Sequence, residues 1–106
     1  MHTPEKTIQN AILREFGTRA DMRLFRMNVG KFLVQGKWVS FGVPGQADLS
    51  GILPGGIRLE VEVKTASGKQ SEDQQRWQRM IEKFGGVYVL ARSVEDVWAA
   101  VRKYLI

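Results

Sequence analysis

The sequence predicts a single α/β domain in which helices flank a central mixed β-sheet, in the order α-β-β-β-β-α-β-α. The chain has 106 residues, of which 43% are hydrophobic, so it can bury one compact core and has no room for a second. Segments with apolar residues at helical spacing alternate with segments that have the pattern of strands. We therefore expect residues 1–106 to form one domain.

The first helix is predicted to begin beside Pro4. Thr3 is a suitable N-cap, Pro4 fits the first helical position, and Glu5 places a carboxylate near the positive end of the helix dipole. Apolar residues then recur at helical spacing, at Ile8, Ile12 and Phe16, until Gly17 ends the run.

Strands are predicted from Arg23 onward. Residues 24–27 begin the first of them. Residues 31–34 and 38–41 have the pattern of the two arms of a hairpin, joined by a turn at residues 35–37.

The clearest strand covers residues 57–64, in which apolar and charged residues alternate strictly. It is preceded by a loop at residues 42–45, a short strand over residues 47–52 and a turn at residues 54–56. One face carries Ile57, Leu59, Val61 and Val63, and the other carries Arg58, Glu60, Glu62 and Lys64.

The second half of the chain is predicted to contain two helices with a buried strand between them. A polar loop at residues 65–70 leads to a capping box at residues 71–74. The helix that it opens has an inner stripe of Trp77, Ile81 and Phe84, and Gly85-Gly86 ends it. A strand at residues 87–91 follows. Ser93 then caps a last helix with the apolar residues Val97, Trp98, Val101 and Leu105.

The composition excludes several kinds of chemistry. The chain has no cysteine, and its one histidine, His2, lies at a terminus that we expect to fray. Catalysis is then left to carboxylates, lysine, hydroxyls or amides, with or without a hard cation. No apolar run approaches the roughly 20 residues that span a bilayer. The N-terminus lacks the layout of a signal peptide, so we expect a cytoplasmic protein without a membrane partner.

The charge balance favours a polyanionic partner. Sixteen Lys and Arg against eleven Asp and Glu give a formal net charge of +5, and nucleic acid is the commonest partner of such chains. Seven basic residues are the candidates for phosphate contacts, and we expect them to flank the catalytic cleft: Arg23, Arg26, Lys31, Lys37, Lys69, Arg76 and Arg79. Gly68-Lys69 does not form a phosphate-binding P-loop, since the upstream glycine and the Ser/Thr are missing, so no nucleotide cofactor is expected.

Three residues form a candidate catalytic group. Asp48 begins a strand after a glycine-containing loop, and Glu62 and Lys64 lie two apart on the polar face of the longest strand. If the two strands are neighbours, two carboxylates and one amine converge. Two carboxylates and a backbone carbonyl suit Mg²⁺ or Mn²⁺ as ligands, and Val63 is our candidate for the carbonyl. Such a cation activates water and stabilises charge on phosphate, and Lys64 could neutralise developing charge.

Two helical residues could complete this group. Gln74 shares a stripe with Trp77 and Ile81, and Glu5 shares a face with Ile8 and Ile12, so each is expected to face the sheet. Each also has a structural explanation. A capping box requires Glu or Gln at the position of Gln74, and an acid in the first turn of a helix, such as Glu5, stabilises the helix dipole.

Other residues in the pattern also have structural explanations. The charged face of the long strand could be a solvated face with cross-strand ion pairs. We interpret Glu60 as a residue that either forms an ion pair or supports the site from outside it, because it precedes Glu62 by two residues on the same face and so lies farther from Asp48. We interpret Trp77, Phe84 and Trp98 as core, whereas Trp38 and Phe41 could contact either DNA or a second subunit.

Four segments together resemble the VRR-NUC family, the virus-type replication-repair nucleases of the PD-(D/E)XK superfamily. They are Gly45-Gln46-Ala47-Asp48, Glu62-Val63-Lys64, Gly68-Lys69-Gln70-Ser71 with Gln74, and the closing strand Gly85-Gly86-Val87-Tyr88-Val89 with Arg92-Ser93. The resemblance runs from Glu5 to about Val97. Ala47 departs from it, because the family's motif usually has proline there, and this puts the stiffness of the loop in doubt.

The resemblance implies a restriction-endonuclease-like fold and a Mg²⁺- or Mn²⁺-dependent DNA endonuclease. It makes Asp48 and Glu62 metal ligands, Lys64 the catalytic lysine, Gln74 the glutamine of the following helix, and Glu5 an acidic residue associated with the metal. Short members of phage and bacterial type resemble Holliday-junction resolvases and act as homodimers, which implies branched DNA and a role in DNA repair. A flap- or end-processing nuclease and a silent nucleic-acid-binding module of the same fold remain open as alternatives.

Overall fold

The computed structural model describes residues 4–27 and 30–105. Helix α1 (Glu5–Phe16) is followed by strands β1 (Arg23–Arg26), β2 (Gly30–Val34), β3 (Lys37–Phe41), β4 (Leu49–Leu53) and β5 (Ile57–Val63). Helix α2 (Glu72–Lys83), strand β6 (Val87–Ala91) and helix α3 (Val94–Val101) come next, and short 3-10 helices lie at Pro54–Gly56 and Arg102–Tyr104. In these ranges no helix is both long and apolar enough to cross a bilayer.

The main sheet is mixed, which confirms the predicted α/β class. Its strand order is β1-β4-β5-β6, with β1 antiparallel to β4, β4 antiparallel to β5, and β5 parallel to β6. The chain crosses from β5 to β6 through α2, as a parallel pair requires. Strands β4 and β5 therefore lie in the middle of the sheet, where both of their edges are hydrogen-bonded.

The predicted element order is one strand short, because it has four strands before α2, whereas the described residues contain five, one at each of the five strand-like segments between residues 23 and 64. Among the described residues, strands β2 and β3 pair only with each other, as a separate two-stranded sheet, and β1 pairs with β4. The hairpin arms were located correctly. Its turn consists of Gln35 and Gly36, both at positive φ, which is the geometry of a tight two-residue turn, and Lys37 already belongs to β3.

The two faces of the sheet are covered by different helices. Helices α1 and α3 bury one face, in a core that includes Ile12, Phe16, Leu59, Val61 and Val97. A smaller cluster on the other face joins Ala47 and Tyr88 to Ile81 of α2, with Trp77, Met80 and Leu90 packed against it. Because successive residues of a strand point to opposite faces, Tyr88 and Val89 enter different clusters.

The two carboxylates on the charged face of β5 are buried, whereas Arg58 on the same face is exposed. Glu60 is 0% exposed and Glu62 is 2% exposed, because this face lies on the same side as α2. The sequence left open a solvated face with exposed ion pairs, and the burial of both carboxylates excludes that interpretation. A buried charge requires a partner, so each of these two residues needs a specific explanation.

Two predicted helix boundaries need correction. Pro4 is extended, with φ −60° and ψ 148°, so it is the N-cap of α1 and the helix begins at Glu5. Thr3, the predicted cap, lies outside the described residues, as does His2. Phe84 was predicted to lie on the inner stripe of α2, yet it is 77% exposed. The reason is that α2 ends at Lys83, so the helical period no longer sets the direction of the next side chain.

Candidate active site

Asp48 and Glu62 are neighbours across strands β4 and β5. The antiparallel register pairs Leu49 with Val61, and continuing it by one residue places Asp48 beside Glu62. The side chain of Asp48 accepts a hydrogen bond of 2.8 Å from the backbone N–H of Val63, and its carbonyl accepts one of 2.8 Å from the backbone N–H of Met27. The strand pairing thus fixes the position of Asp48 through both its side chain and its backbone.

Glu62 is held through one of its two carboxylate oxygens. Its Oε2 accepts a hydrogen bond of 3.0 Å from Nε2 of Gln74 and lies 3.7 Å from Nζ of Lys64. Its Oε1 is buried and has no hydrogen-bond partner in the described part of the chain. Buried polar atoms without a partner are rare in folded proteins, because losing water without gaining a hydrogen bond costs free energy. A bound cation would satisfy this oxygen.

The surroundings of Glu62 disfavour its charged form in the absence of a bound cation. Burial, and after it the negative charge of Asp48, raise the pKa of Glu62 from 4.5 to about 8. The ammonium of Lys64 acts in the opposite direction and lowers that pKa, but it does not offset the other two effects. A cation beside Asp48 and Glu62 would supply the missing compensation.

Lys64 follows the last residue of β5 and stays attached to the sheet. Its backbone N–H donates a hydrogen bond of 3.0 Å to the carbonyl of Ala91 in β6, which continues the parallel pairing by one residue. Its side chain is only 15% exposed. The ammonium lies 3.7 Å from Oε2 of Glu62, and most of the side chain is shielded from solvent.

Gln74 caps helix α2 and also contacts Glu62. Its Oε1 accepts a hydrogen bond of 2.9 Å from the backbone N–H of Ser71, and its own N–H donates to Oγ of Ser71, so the predicted capping box is present. The same amide donates through Nε2 to Glu62. Because the cap fixes which end of the amide is the oxygen, it also fixes which end faces the carboxylate.

Gly45 is a residue that sequence analysis did not single out as functional. It has φ +84°, and a Cβ at this position would overlap the backbone of Asp73 and lie 2.9 Å from the backbone nitrogen of Gln74. The loop before Asp48 thus lies directly against the first turn of α2. A glycine three residues before a candidate ligand was the only available signal, and the contact itself is long-range.

Glu5 remains a prediction. It is exposed, in the first turn of α1, and its negative charge contributes to the raised pKa of Glu62. It is near enough for its charge to act on Glu62. However, no three Asp, Glu or His side chains of the described residues group closely enough to hold a metal ion together. The carboxylates brought into contact are Asp48 and Glu62.

Glu60 is a buried carboxylate with its own partners. Its Oε1 accepts a hydrogen bond of 2.8 Å from Nε1 of Trp77, and its Oε2 lies 3.3 Å from Nε of Arg58. It is aligned with Ser50, two residue pairs away from the level of Asp48. The predicted ion-pairing role of Glu60 is confirmed, and Glu60 provides an internal comparison for Glu62, which lacks such partners on one oxygen.

The aromatic residues divide as follows. Trp98 packs against Phe16 with ring centroids 4.8 Å apart, and Trp77 is partly buried against Ile81, so both belong to the core as predicted. Trp38 is 71% exposed on the hairpin. The side chain of Phe41 lies outside the described part of the structure.

The seven predicted phosphate-contact residues are all exposed, on β1, the hairpin, the loop after β5 and α2. Three of them already have partners within the chain. Arg23 donates to the carbonyls of Arg19 and Met22, Arg26 donates to Oδ1 of Asn10, and Arg76 pairs with Asp73. Exposure is consistent with contact to a polyanion but does not select one residue among the seven.

The residues present fit a hard divalent cation. Asp48 and Glu62 offer carboxylate oxygens, Oε1 of Glu62 is unpaired within the described ranges, and Val63 lies between Glu62 and Lys64 with a backbone carbonyl. No protein-family model, no curated protein and no solved structure matches the chain. The functional interpretation therefore rests on this geometry and on the motif resemblance.

Proposed function

We propose that this protein is a metal-dependent DNA endonuclease of the PD-(D/E)XK type, related to the VRR-NUC nucleases. One observation carries the proposal. Asp48, Glu62, Lys64 and Gln74 meet at one end of β4 and β5, and the buried Oε1 of Glu62 has no partner among the described residues. Two carboxylates, one lysine and one amide around an incompletely satisfied oxygen suit phosphodiester hydrolysis better than a purely structural ion pair.

Each residue has a definite task in this proposal. Asp48, Glu62 and the carbonyl of Val63 would hold the cation, which would supply positive charge to the phosphate and lower the pKa of water. Gln74 holds Glu62 through Oε2 and so leaves Oε1 available. Lys64 neutralises charge that develops on the phosphate oxygens, and the low exposure of its side chain strengthens that interaction.

The architecture also supports the proposal. The antiparallel β1-β4-β5 unit with a parallel β6 on the far side of β5, flanked by helices, agrees with the mixed sheet expected of a restriction-endonuclease-like core. The chain order of the candidate residues also follows the family's motifs. Asp48 comes first, after the glycine loop, then the Glu-x-Lys strand, and then the helix with Gln74.

The substrate that we propose is branched DNA, such as a Holliday junction in DNA repair, cleaved by a homodimer. A four-way junction presents two symmetric strands, and a two-fold dimer would present two active sites to them. The net charge of +5 and the seven exposed basic residues support a polyanionic partner. Large apolar side chains exposed on the hairpin, Leu33 and Trp38 above all, support contact with another macromolecule.

Cleavage assays on labelled four-way junction, flap and linear duplex DNA, with Mg²⁺, Mn²⁺ or EDTA, test the proposal. We expect metal-dependent cleavage of the junction and a loss of roughly 10²-fold or more on Asp48→Asn and Lys64→Ala. Glu60→Gln is the matched control. It changes a buried carboxylate two residues from Glu62, keeps an acceptor for Trp77, and is expected to retain cleavage.

The possible outcomes separate the alternatives. Preferred cleavage of the flap or of free ends would replace the junction with those substrates and keep the active site. Tight DNA binding without cleavage under either metal would favour a silent binding module. Cleavage that survives both Asp48→Asn and Lys64→Ala would show that the site lies elsewhere.

A further inference from the structure

The turn that follows Lys64 folds back over the lysine side chain. Residues 65–68 form a turn closed by a hydrogen bond of 3.1 Å from the backbone N–H of Gly68 to the carbonyl of Thr65. A Cβ on Gly68 would lie 3.3 Å from Cδ and 3.4 Å from Cβ of Lys64. The absence of a side chain at Gly68 thus allows the turn to lie against the aliphatic stem of the lysine.

Arg92 holds this turn from a distant part of the chain. Its Nη1 donates one hydrogen bond to the carbonyl of Thr65 and another, of 2.9 Å, to the carbonyl of Gly68. These carbonyls are the first and last of the turn. A single guanidinium therefore bridges both ends of the turn that covers Lys64.

Arg92 is itself well fixed. It comes directly after β6, where the carbonyl of Ala91 accepts from the backbone N–H of Lys64, and its own backbone N–H donates to Oδ2 of Asp96 at 2.8 Å. Beyond the turn, Gln70 donates to Oε1 of Gln78 at 2.9 Å and to the hydroxyl of Tyr88 at 3.1 Å. The loop after Lys64 is thus anchored on both sides.

We infer that Arg92 is a positioning residue for Lys64, which holds the 65–68 turn against the lysine stem and so keeps the ammonium beside Glu62. A lysine side chain has four rotatable bonds, and confining it by packing restricts the ammonium to one region. The effect on cleavage rests on the proposed function. The effect on the accessibility of Lys64 rests on the geometry alone.

A competing role for Arg92 is direct contact with a DNA phosphate, because its side chain is exposed. The two roles predict different kinetics. A phosphate contact removed by substitution raises KM and weakens the salt dependence of binding. A positioning residue removed by substitution lowers kcat and leaves KM unchanged, since Lys64 acts on the reacting phosphate.

The decisive experiment measures the accessibility of Lys64 in the full chain, by limited acylation with an N-hydroxysuccinimide ester and peptide mass spectrometry. The variants are Arg92→Ala, Arg92→Lys and Arg14→Ala, the last being an exposed arginine in the final turn of α1 that controls for lost charge. We expect acylation of Lys64 to rise severalfold in Arg92→Ala and to stay at the wild-type level in the other two. A lysine at position 92 can still donate to both carbonyls.

Kinetics on the cleaved substrate supply the second readout. We expect kcat to fall roughly tenfold or more in Arg92→Ala at unchanged KM, because small displacements of catalytic groups are costly, and to recover in Arg92→Lys. Gly68→Ala, which pushes a methyl group against Cδ of Lys64, is expected to lower kcat in the same way with Arg92 in place. The Gly68→Ala variant keeps the inference testable if Arg92→Ala does not fold.

Three results would overturn the inference: acylation of Lys64 unchanged in folded Arg92→Ala, a rise in KM at constant kcat, or a wild-type profile for Gly68→Ala. If the protein cleaves no DNA under any metal, the proposed function fails. The acylation experiment then still decides the role of Arg92, so the two failures are distinguishable.

Discussion

The amide of Gln74 joins the start of α2 to the buried carboxylate of Glu62. Its Nε2 donates to Oε2 of Glu62 at 3.0 Å, and its Oε1 accepts from the backbone N–H of Ser71 at 2.9 Å. The residue that caps a helix and the residue that orients a candidate metal ligand are thus the same. Helix capping and the orientation of Glu62 can be separated by substituting Ser71 and Gln74 one at a time.

Ser71→Ala should reduce stability and spare activity. It removes the hydroxyl that accepts from Gln74, and we expect a loss of about 1 kcal/mol in the free energy of unfolding. The amide of Gln74 keeps its bonds to the backbone of Ser71 and to Glu62. Gln74→Ala should lose a similar amount of stability and in addition most of the cleavage. Urea unfolding and junction cleavage measure the two effects, and equal losses of activity in both variants would contradict this separation.

The stability of the metal-free protein should fall as the pH rises from about 4.5 to about 8. The pKa of Glu62 is raised to about 8 in the folded chain, so over this interval the folded state retains a proton that the unfolded state has lost. The free energy of unfolding therefore falls as the pH rises toward about 8. Above that pH Glu62 is ionised in both the folded and the unfolded state, and the fall levels off. Thermal melts in EDTA are expected to show a growing advantage of Glu62→Gln over the wild type across this range. Parallel curves would exclude the effect.

Divalent cations should reverse that loss in the wild type, through Asp48 and Glu62. At pH 8 the ion binds the ionised form of Glu62, and a ligand at 100 times its Kd stabilises a protein by about 2.7 kcal/mol. Mg²⁺ or Mn²⁺ is therefore expected to raise the Tm of the wild type and of Glu60→Gln, but not of Glu62→Gln or Asp48→Asn. Equal shifts in all four proteins would indicate nonspecific binding.

Gly45→Ala should disrupt the candidate active site without changing any of its residues. The added methyl group would overlap the backbone of Asp73, and φ +84° is unfavourable for alanine, so α2 must move away from the Asp48 loop. We expect a loss of more than about 1 kcal/mol in stability and a loss of cleavage. Gly55→Ala is the matched control, because Gly55 also has φ +84° but a Cβ there would meet nothing within 4 Å. Comparable loss of cleavage in both would point to backbone strain alone.

Trp38→Ser should change association and leave the fold intact. Trp38 is 71% exposed, and its cross-strand neighbour in the hairpin, Leu33, is 61% exposed. The hydrophobic core therefore does not depend on Trp38. We expect stability to change by no more than about 0.5 kcal/mol. Light scattering at micromolar concentration should show the wild type as a dimer and the variant shifted toward monomer. A wild type that is monomeric would remove the homodimer from the proposal.

Local patterns predicted much of the fold. The alternation in residues 57–64 predicted a strand, and residues 71–74 and Ser93 predicted two helix caps. Each prediction depends on neighbours close in the chain, and the strand and both caps are present. Phe84 shows where such reasoning fails, because a period extrapolated past the end of a helix has no physical basis. The pairing of β1 with β4 across the intervening hairpin has no local signal in the sequence.

Sequence patterns predicted which residues could form the candidate site, and the convergence of Asp48 with Glu62 and Lys64 only on the condition that their strands are neighbours. The spacing of Glu62 and Lys64 places them on one face of a strand, and this follows from strand geometry alone. The neighbouring position of Asp48 depends on the register of β4 against β5, and the burial of Glu62 depends on how α2 packs. Both are long-range properties, as is the contact of Arg92 with the turn after Lys64.

The parallel pairing of β5 with β6 has a consequence for biosynthesis. Lys64 is tied to Ala91, and the turn beside it is tied to Arg92, both of which leave the ribosome well after Asp48 and Glu62. A nascent chain that carries both carboxylates therefore still lacks the strand and the guanidinium that secure the lysine. Translation order alone would delay the assembly of the candidate site until Arg92 has been synthesised.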